Sequence, residues 1–179
     1  MSASFDRYRT YLGLLARAHL PAALRGRVDA SDLVQQTLLE AHRDQEQRRG
    51  RSDDELVGWL RRILGNRILN AIRDARREKR DPRLERRLDD DATRVASRLV
   101  SPDPSPSEAA MRKERVLAIA AALEALPAEQ QEIVTLRFLA GWKLEEIAAH
   151  LDRSVASVAG LLYRGVAALG TKLNREDEP

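Results

Sequence analysis

The sequence predicts an all-α protein of two small helical domains joined by a Pro/Ser linker, the second domain a helix-turn-helix. Three observations carry that expectation. Strong helix formers (Ala, Leu, Arg, Glu) dominate the 179 residues, while aromatics make up only 4%. Apolar residues recur at three- and four-residue spacing on both sides of residue 100. Between the two halves, Ser101–Ser107 reads SPDPSPS, with three prolines that remove backbone donors and push their neighbours out of the α region.

Bulk properties narrow the class. Apolar residues are 43% and charged residues 33% of the chain, enough for cores beneath a heavily charged surface. The absence of cysteine excludes a disulfide scaffold and any thiolate metal site, and fits a reducing compartment. MSASFDRYRT at the N-terminus has no apolar signal core, and Val116–Leu123 is the longest apolar run, far too short to span a bilayer. A soluble, cytoplasmic protein without a membrane partner is expected.

In chain order, Phe5–Leu20 carries the stripe Tyr8, Tyr11, Leu12, Leu15 and His19 and stops at Pro21. A second helix is predicted from Ser31 to about Arg43, with Ser31 as N-cap and Asp32 complementing the dipole. Its core stripe is Leu33, Val34, Thr37, Leu38 and Ala41. The opposite face holds Asp32, Gln35, Gln36, Leu39, Glu40 and Arg43. The stretch DQEQRRGRSDD at 44–54 has no apolar residue and reads as a loop. A long third helix follows from Glu55 to about Arg80. Leu56, Trp59, Leu60, Ile63, Leu64, Ile68, Ala71, Ile72 and Ala75 lie on one side; Arg62, Arg73, Arg76, Arg77 and Arg80, with Asn66 and Asn70, lie on the other.

Charge is unevenly spread. The net charge is +3, yet residues 61–80 alone carry 8 basic side chains against 2 acidic ones. A stripe of this kind is the footprint of contact with a polyanion, although on charge alone a solvated helix face fits equally well. The acidic run Asp89–Asp91 reads as the approach to the linker. Domain boundaries are placed at 1–95 and 111–175, with 96–110 between them.

The second half opens with a helix from about Glu108 to Leu126, and Pro127 starts another that runs to about Leu139 and stops at Gly141. The strongest local signal is LEEIAAHLDRSVASVAGLLY at 144–163. A helix from Leu144 to Leu151, the turn Asp152–Ser154 and a last helix from Val155 to about Leu173 give helix-turn-helix spacing. Ala148 supplies the small residue at the crossing, and Ile147, Leu151, Val158 and Leu162 are spaced to fill the wedge. Ser154 is placed to cap the last helix near a phosphate. Asp152 stands where glycine is commonest, and Asp tolerates the left-handed conformation better than most residues. A structural helical corner remains the plain alternative. It gains from the scarcity of cations in VASVAGLLY and from the interior Gly160, which lowers helix stability by about 1 kcal/mol.

Enzyme chemistry finds no foothold. His19, His42 and His150 lie in separate segments and read as lone surface histidines. HExxH, GxxxxGK[ST] and GxGxxG are absent, and no cofactor is expected.

Taken together, the segments resemble the sigma-70 family of RNA polymerase sigma factors, in its two-domain extracytoplasmic-function (ECF) type. ASDLVQQTLLEAHR (30–43) resembles the segment that grips the clamp helices of the polymerase largest subunit. ELVGWLRRILGNRILNAIRDARREKR (55–80) is similar to the helix that melts promoters and recognises the −10 element. LEALPAEQQEIVTLRFLAGWKLEEIAAHLDRSVASVAGLLYRGVAAL (123–169) resembles the −35-binding domain nearly end to end.

The resemblance implies roles and partners. Asp32, Gln35, Gln36 and Leu39 would dock on polymerase, with a solvated face as the alternative. Arg48, Arg49 and Arg51, on the loop, would cradle an unstacked base, or that loop is plain surface. Trp59 would stack on a base or pack in the core. Arg62, Asn66, Arg73, Arg76 and Arg77 would hold the opening promoter, and Lys143, Arg153, Ser154, Ser157, Gly160 and Arg164 the −35 duplex. Core RNA polymerase (clamp helices and flap) and promoter DNA are the implied partners, and an anti-sigma factor is a third open to this family. The chain departs from the family at Ala159–Leu161, where a basic and serine-bearing run is common. Only about six residues follow the last helix, so no further C-terminal domain is expected. The competing reading is a stand-alone helix-turn-helix regulator, which leaves residues 30–80 unexplained.

Overall fold

The computed structural model describes residues 5–45, 55–78, 81–100 and 106–176, and all regular structure among them is helical. The chain forms two compact units, Met1–Glu114 and Arg115–Pro179.

In the first unit a 3-10 turn, Phe5–Tyr8, leads into α1 (Arg9–His19), and Phe5 and Tyr8 are both buried. Leu20 ends α1 in extended geometry (φ −68°, ψ 118°), as a residue before proline must. Helix α2 (Ala30–Arg43) is capped by Asp29, whose carboxylate accepts from the Ser31 backbone N–H at 2.8 Å and its hydroxyl at 2.9 Å. The predicted cap, Ser31, is therefore the donor; Asp29, already extended, brings the stronger acceptor two residues earlier. Those two bonds hold the Asp29 carboxyl below its ordinary range. The expected α2 core of Leu33, Val34, Thr37, Leu38 and Ala41 is buried throughout.

Helix α3 (Leu56–Glu78) buries Leu56, Leu60, Ile63, Leu64, Ile68, Ile72 and Ala75, seven of the nine expected positions; Trp59 and Ala71 are half-buried. His19 departs from expectation. It sits 4% exposed, neither ring nitrogen hydrogen-bonded. Burial, with Arg61, Arg94 and Arg98 nearby, pushes its pKa down to about 4.

Helix α4 (Pro82–Val95) replaces part of the expected approach to the linker, so Asp89–Asp91 are helical. Asp81 caps it, accepting from the Arg83 N–H at 2.9 Å, and Pro82 stands in the first turn, where it lacks no needed bond. Its apolar content is thin: only Leu88 and Val95 are buried, joined by Leu99 of the π-helical turn Ala96–Val100. That turn packs on α3 at Gly65, where a Cβ would come within 2.8 Å of both Leu99 and Val100.

The second unit begins within α5 (Pro106–Glu124). Pro127 is the N-cap of α6 (Ala128–Val134), which passes into a π-helical turn, Thr135–Leu139. Gly141, at φ 69°, takes the left-handed conformation that stops it. Helix α7 (Leu144–His150) and α8 (Val155–Glu176) meet at 107°. Asp152 makes the corner at φ 51°, and the Arg153 N–H returns to the Ala148 carbonyl at 3.0 Å. Ile147, Ala148 and Val158 fill the angle, with Leu161 buried where Leu162 was expected and Leu162 and Leu151 half-buried. Helix α8 crosses α6 closely at Gly165, where a Cβ would lie 2.7 Å from Val134 Cγ2. No single described helix is long and apolar enough to cross a membrane.

Candidate polymerase and promoter interfaces

Burial of one side of α2 fixes what the other side presents. Asp32, Gln35, Gln36 and Leu39 are all exposed, and their spacing aligns them on one face. Leu39 is 50% exposed, an apolar side chain offered to solvent beside polar ones. Next to it, Glu40 turns inward and accepts from Arg67 Nε of α3 at 2.9 Å and from its Nη2 at 2.5 Å. This two-point contact ties the outward face of α2 to α3 in a fixed rotation.

On α3 the unburied row runs Arg62, Asn66, Asn70, Arg73, Arg77, with Trp59 at its head. Arg73 Nη1 donates to Asn70 Oδ1 at 2.9 Å, which aims the guanidinium along the row. Arg77 is exposed and 3.9 Å from Asp74, a contact of little energetic weight. Trp59 is half-buried, its ring edge-on to Phe5 at 6.1 Å, so core packing accounts for one side of it. Arg76 differs from its neighbours. It lies at the rim of the buried face and forms an ion pair with Asp89 of α4. The sequence alone could not show this, because α4 was not expected. Arg48, Arg49 and Arg51 lie outside the described residues.

In the second unit, Lys143 is the exposed N-cap residue of α7, its N–H donating to Glu146 Oε2 at 2.7 Å. Ser154 Oγ accepts from the Ser157 N–H at 3.2 Å, the expected cap. Arg153 is not wholly at liberty: it donates to Glu129 of α6 at 2.5 Å, with its side chain 39% exposed. Ser157 and Arg164 are exposed, and Gly160 is half-buried. Sequence reasoning passed over the two most exposed large apolar residues of this unit, Phe138 at 62% and Tyr163 at 77%. Tyr163 was legible, being opposite Val158 and Leu161 on a helical wheel. Phe138 was not, since the π-helical turn shifts the register. Among the described residues, no group of His, Cys, Asp or Glu is placed to hold a metal ion.

The order of these features agrees with two family descriptions. Residues 5–78 match "Sigma-70 region 2" and residues 117–169 match "Sigma-70, region 4". The chain belongs to the sigma-70 family. Relatives place it in the extracytoplasmic-function (ECF) branch. It is 35% identical over 155 residues to the ECF RNA polymerase sigma factor SigG of Mycobacterium tuberculosis, covering 80% of this chain and 41% of that one. It is 29% identical to SigE of Mycolicibacterium smegmatis over 76% of this chain and 49% of that one. Against the sigma-E factor of Escherichia coli, identity is 25% over 93% of this chain and 83% of the relative. This sigma-70 chain thus spans less than half the length of the two mycobacterial relatives. The region 2 match ends at Glu78, so α4 and the turn at Ala96–Val100 lie beyond it.

Proposed function

We propose that this chain is a sigma factor that binds core RNA polymerase and directs promoter-specific initiation, without catalysis of its own. The observation that supports it most is the co-occurrence, in order, of regions 2 and 4 with an unburied cationic row on α3 (Arg62 half-buried, Arg73 and Arg77 exposed) and a 107° helix-turn-helix corner. Residues 1–95 act as the polymerase and −10 module and 111–175 as the −35 module. They are joined through 96–110, whose first five residues pack on α3.

Asp32, Gln35, Gln36 and Leu39 dock on the largest-subunit clamp helices. Arg62, Asn66, Arg73 and Arg77, with Arg48, Arg49, Arg51 and Trp59, take the −10 strand. Lys143, Arg153, Ser154, Ser157, Gly160 and Arg164 take the −35 duplex, and the flap and an anti-sigma factor are further partners of this unit. A cytoplasmic location follows from polymerase as partner.

Arg76 contributes to promoter binding only after exchanging Asp89 for a phosphate. For that reason the test uses Arg73→Glu with Arg77→Glu; reversing Arg76 would set two carboxylates against each other and loosen α4. The double variant should bind core polymerase as before and fail to form open complexes. Replacing both residues by alanine instead should reduce the salt slope of single-strand promoter binding by about 1.4, two contacts at about 0.7 each. Undiminished open-complex formation by the charge-reversed protein would remove α3 from promoter melting.

A further inference from the structure

The side of α8 that faces away from its core lacks the groups that usually read bases. Val158, Leu161 and Gly165 are buried and set the inner side. At about 100° per residue, Ala156, Ala159, Gly160 and Tyr163 fall on the outer side. Ala156 and Ala159 are exposed, and Tyr163 is 77% exposed. Asn, Gln, Arg and Lys, which pair with adenine and guanine edges, are missing from this row.

The cations lie to the sides. Lys143 and Arg164 are exposed, the Arg164 guanidinium lying beside Gly160, and the capped N-terminus at Ser154 adds backbone donors that suit a phosphate. On the sigma-factor reading a duplex meets this face, and the row Ala156, Ala159, Gly160 and Tyr163 that would enter its major groove carries no charged side chain of its own.

Gly160 adds an independent observation. A Cβ there would meet nothing nearer than the Arg164 guanidinium at 3.6 Å, so no neighbour in the chain requires a glycine. It nevertheless stands in a helix interior, where it lowers stability by about 1 kcal/mol relative to alanine. A backbone without a Cβ on the outer side, flanked only by the far end of the Arg164 side chain, allows another surface to come closer than a side chain at 160 would permit. Only one base-edge feature of the major groove is apolar: the C5-methyl of thymine.

We infer that α8 reads its promoter element chiefly through thymine methyl groups, packed against Ala156 and Ala159 beside the bare backbone of Gly160. This inference rests on the sigma-factor reading and adds a specificity to it. The −35 element then carries T·A pairs at the contacted positions, and discrimination is modest, since a methyl contact is weaker than a bidentate hydrogen bond.

The test uses the full chain with core polymerase. A −35 element is selected from a randomised promoter library, and each thymine in it is replaced in turn by uracil, which lacks only the methyl. Initiation or binding should fall about fourfold per contacted thymine, the equivalent of one buried methyl, while uracil in the spacer has no effect. Gly160→Ala should weaken use of the −35 element without lowering thermal stability. Uracil tolerated at every −35 position, or a selected element of G·C pairs alone, would overturn the inference while leaving specific initiation, and so the sigma reading, standing. An α8 row used to grip a protein would give that same insensitivity. No specific initiation with any promoter would remove both.

Discussion

Two glycines of α8 should respond in opposite ways to the same added methyl. At Gly165 a Cβ would sit 2.7 Å from Val134 Cγ2 and 3.4 Å from Gln130 Cβ, so α6 must shift by most of an ångström or the side chains must leave their rotamers. Overpacking of that kind destabilises by about 1–3 kcal/mol. At Gly160 the nearest atom is a mobile guanidinium end at 3.6 Å, and nothing opposes the substitution. Both changes gain up to about 1 kcal/mol of helix propensity, so the difference between Gly160→Ala and Gly165→Ala isolates the steric contribution at about 1–3 kcal/mol. In a unit of this size, 1 kcal/mol moves Tm by about 4–8 °C. Trp142, half-buried and edge-on to His150 at 5.1 Å, reports on this unit once Trp59 is replaced by Phe. Fluorescence-detected melting should place Gly160→Ala at or above the parent and Gly165→Ala at least about 4 °C below Gly160→Ala. Equal shifts for the two variants would show that α6 and α8 do not approach as described.

Three further outcomes follow from the first unit. The buried His19 stays neutral when the unfolded chain would protonate, because its folded pKa lies near 4 against an ordinary 6.5. The unfolded state thus binds more protons between those values, and stability present above pH 6.5 drains away towards pH 4, by about 3 kcal/mol in all. Denaturation at pH 7 and pH 4.5 should show His19→Leu losing about 2–3 kcal/mol less on acidification than the parent; an unchanged difference would place the ring in contact with water. Leu39→Ala should weaken core polymerase binding by about three- to tenfold, the worth of burying half a leucine, with melting unaltered. A double-mutant cycle on Glu40→Gln and Arg67→Gln should give a coupling of about 0.5–1 kcal/mol, the pair being too exposed for more; zero coupling would mean that it does not tie α2 to α3.

Where apolar periodicity was strong, the sequence foretold the structure closely. The α2 core was legible to the residue because Leu33, Val34, Thr37, Leu38 and Ala41 repeat at helical spacing against an opposite face that is polar but for Leu39. The helix-turn-helix corner was legible because a small residue, a residue able to adopt positive φ and a capping serine occur at the required offsets. Helix α4 was not, since only Leu88 and Val95 are buried and three consecutive aspartates resemble a solvated segment. Its stability comes from the Asp81 cap and from docking on α3, which a local pattern does not record. Missing α4 also concealed the partner of Arg76, so one member of the expected cationic row proved to be engaged. His19 shows the same limit: its place on the α1 stripe was visible, but lone histidines generally read as exposed. The outward row of α8 (Ala156, Ala159, Gly160, Tyr163), on which the proposed −35 reading rests, was overlooked because it is set by which side of the helix is buried and not by any motif.

The most direct measurement is run-off transcription from a genomic DNA library with purified core polymerase, with and without this chain. Specific start sites should appear only when both are present, preceded by a shared pair of −10 and −35 elements, and the chain should co-migrate with core enzyme. Tight binding to a duplex operator by the chain alone, with no association with core polymerase and no new start sites, would contradict the account.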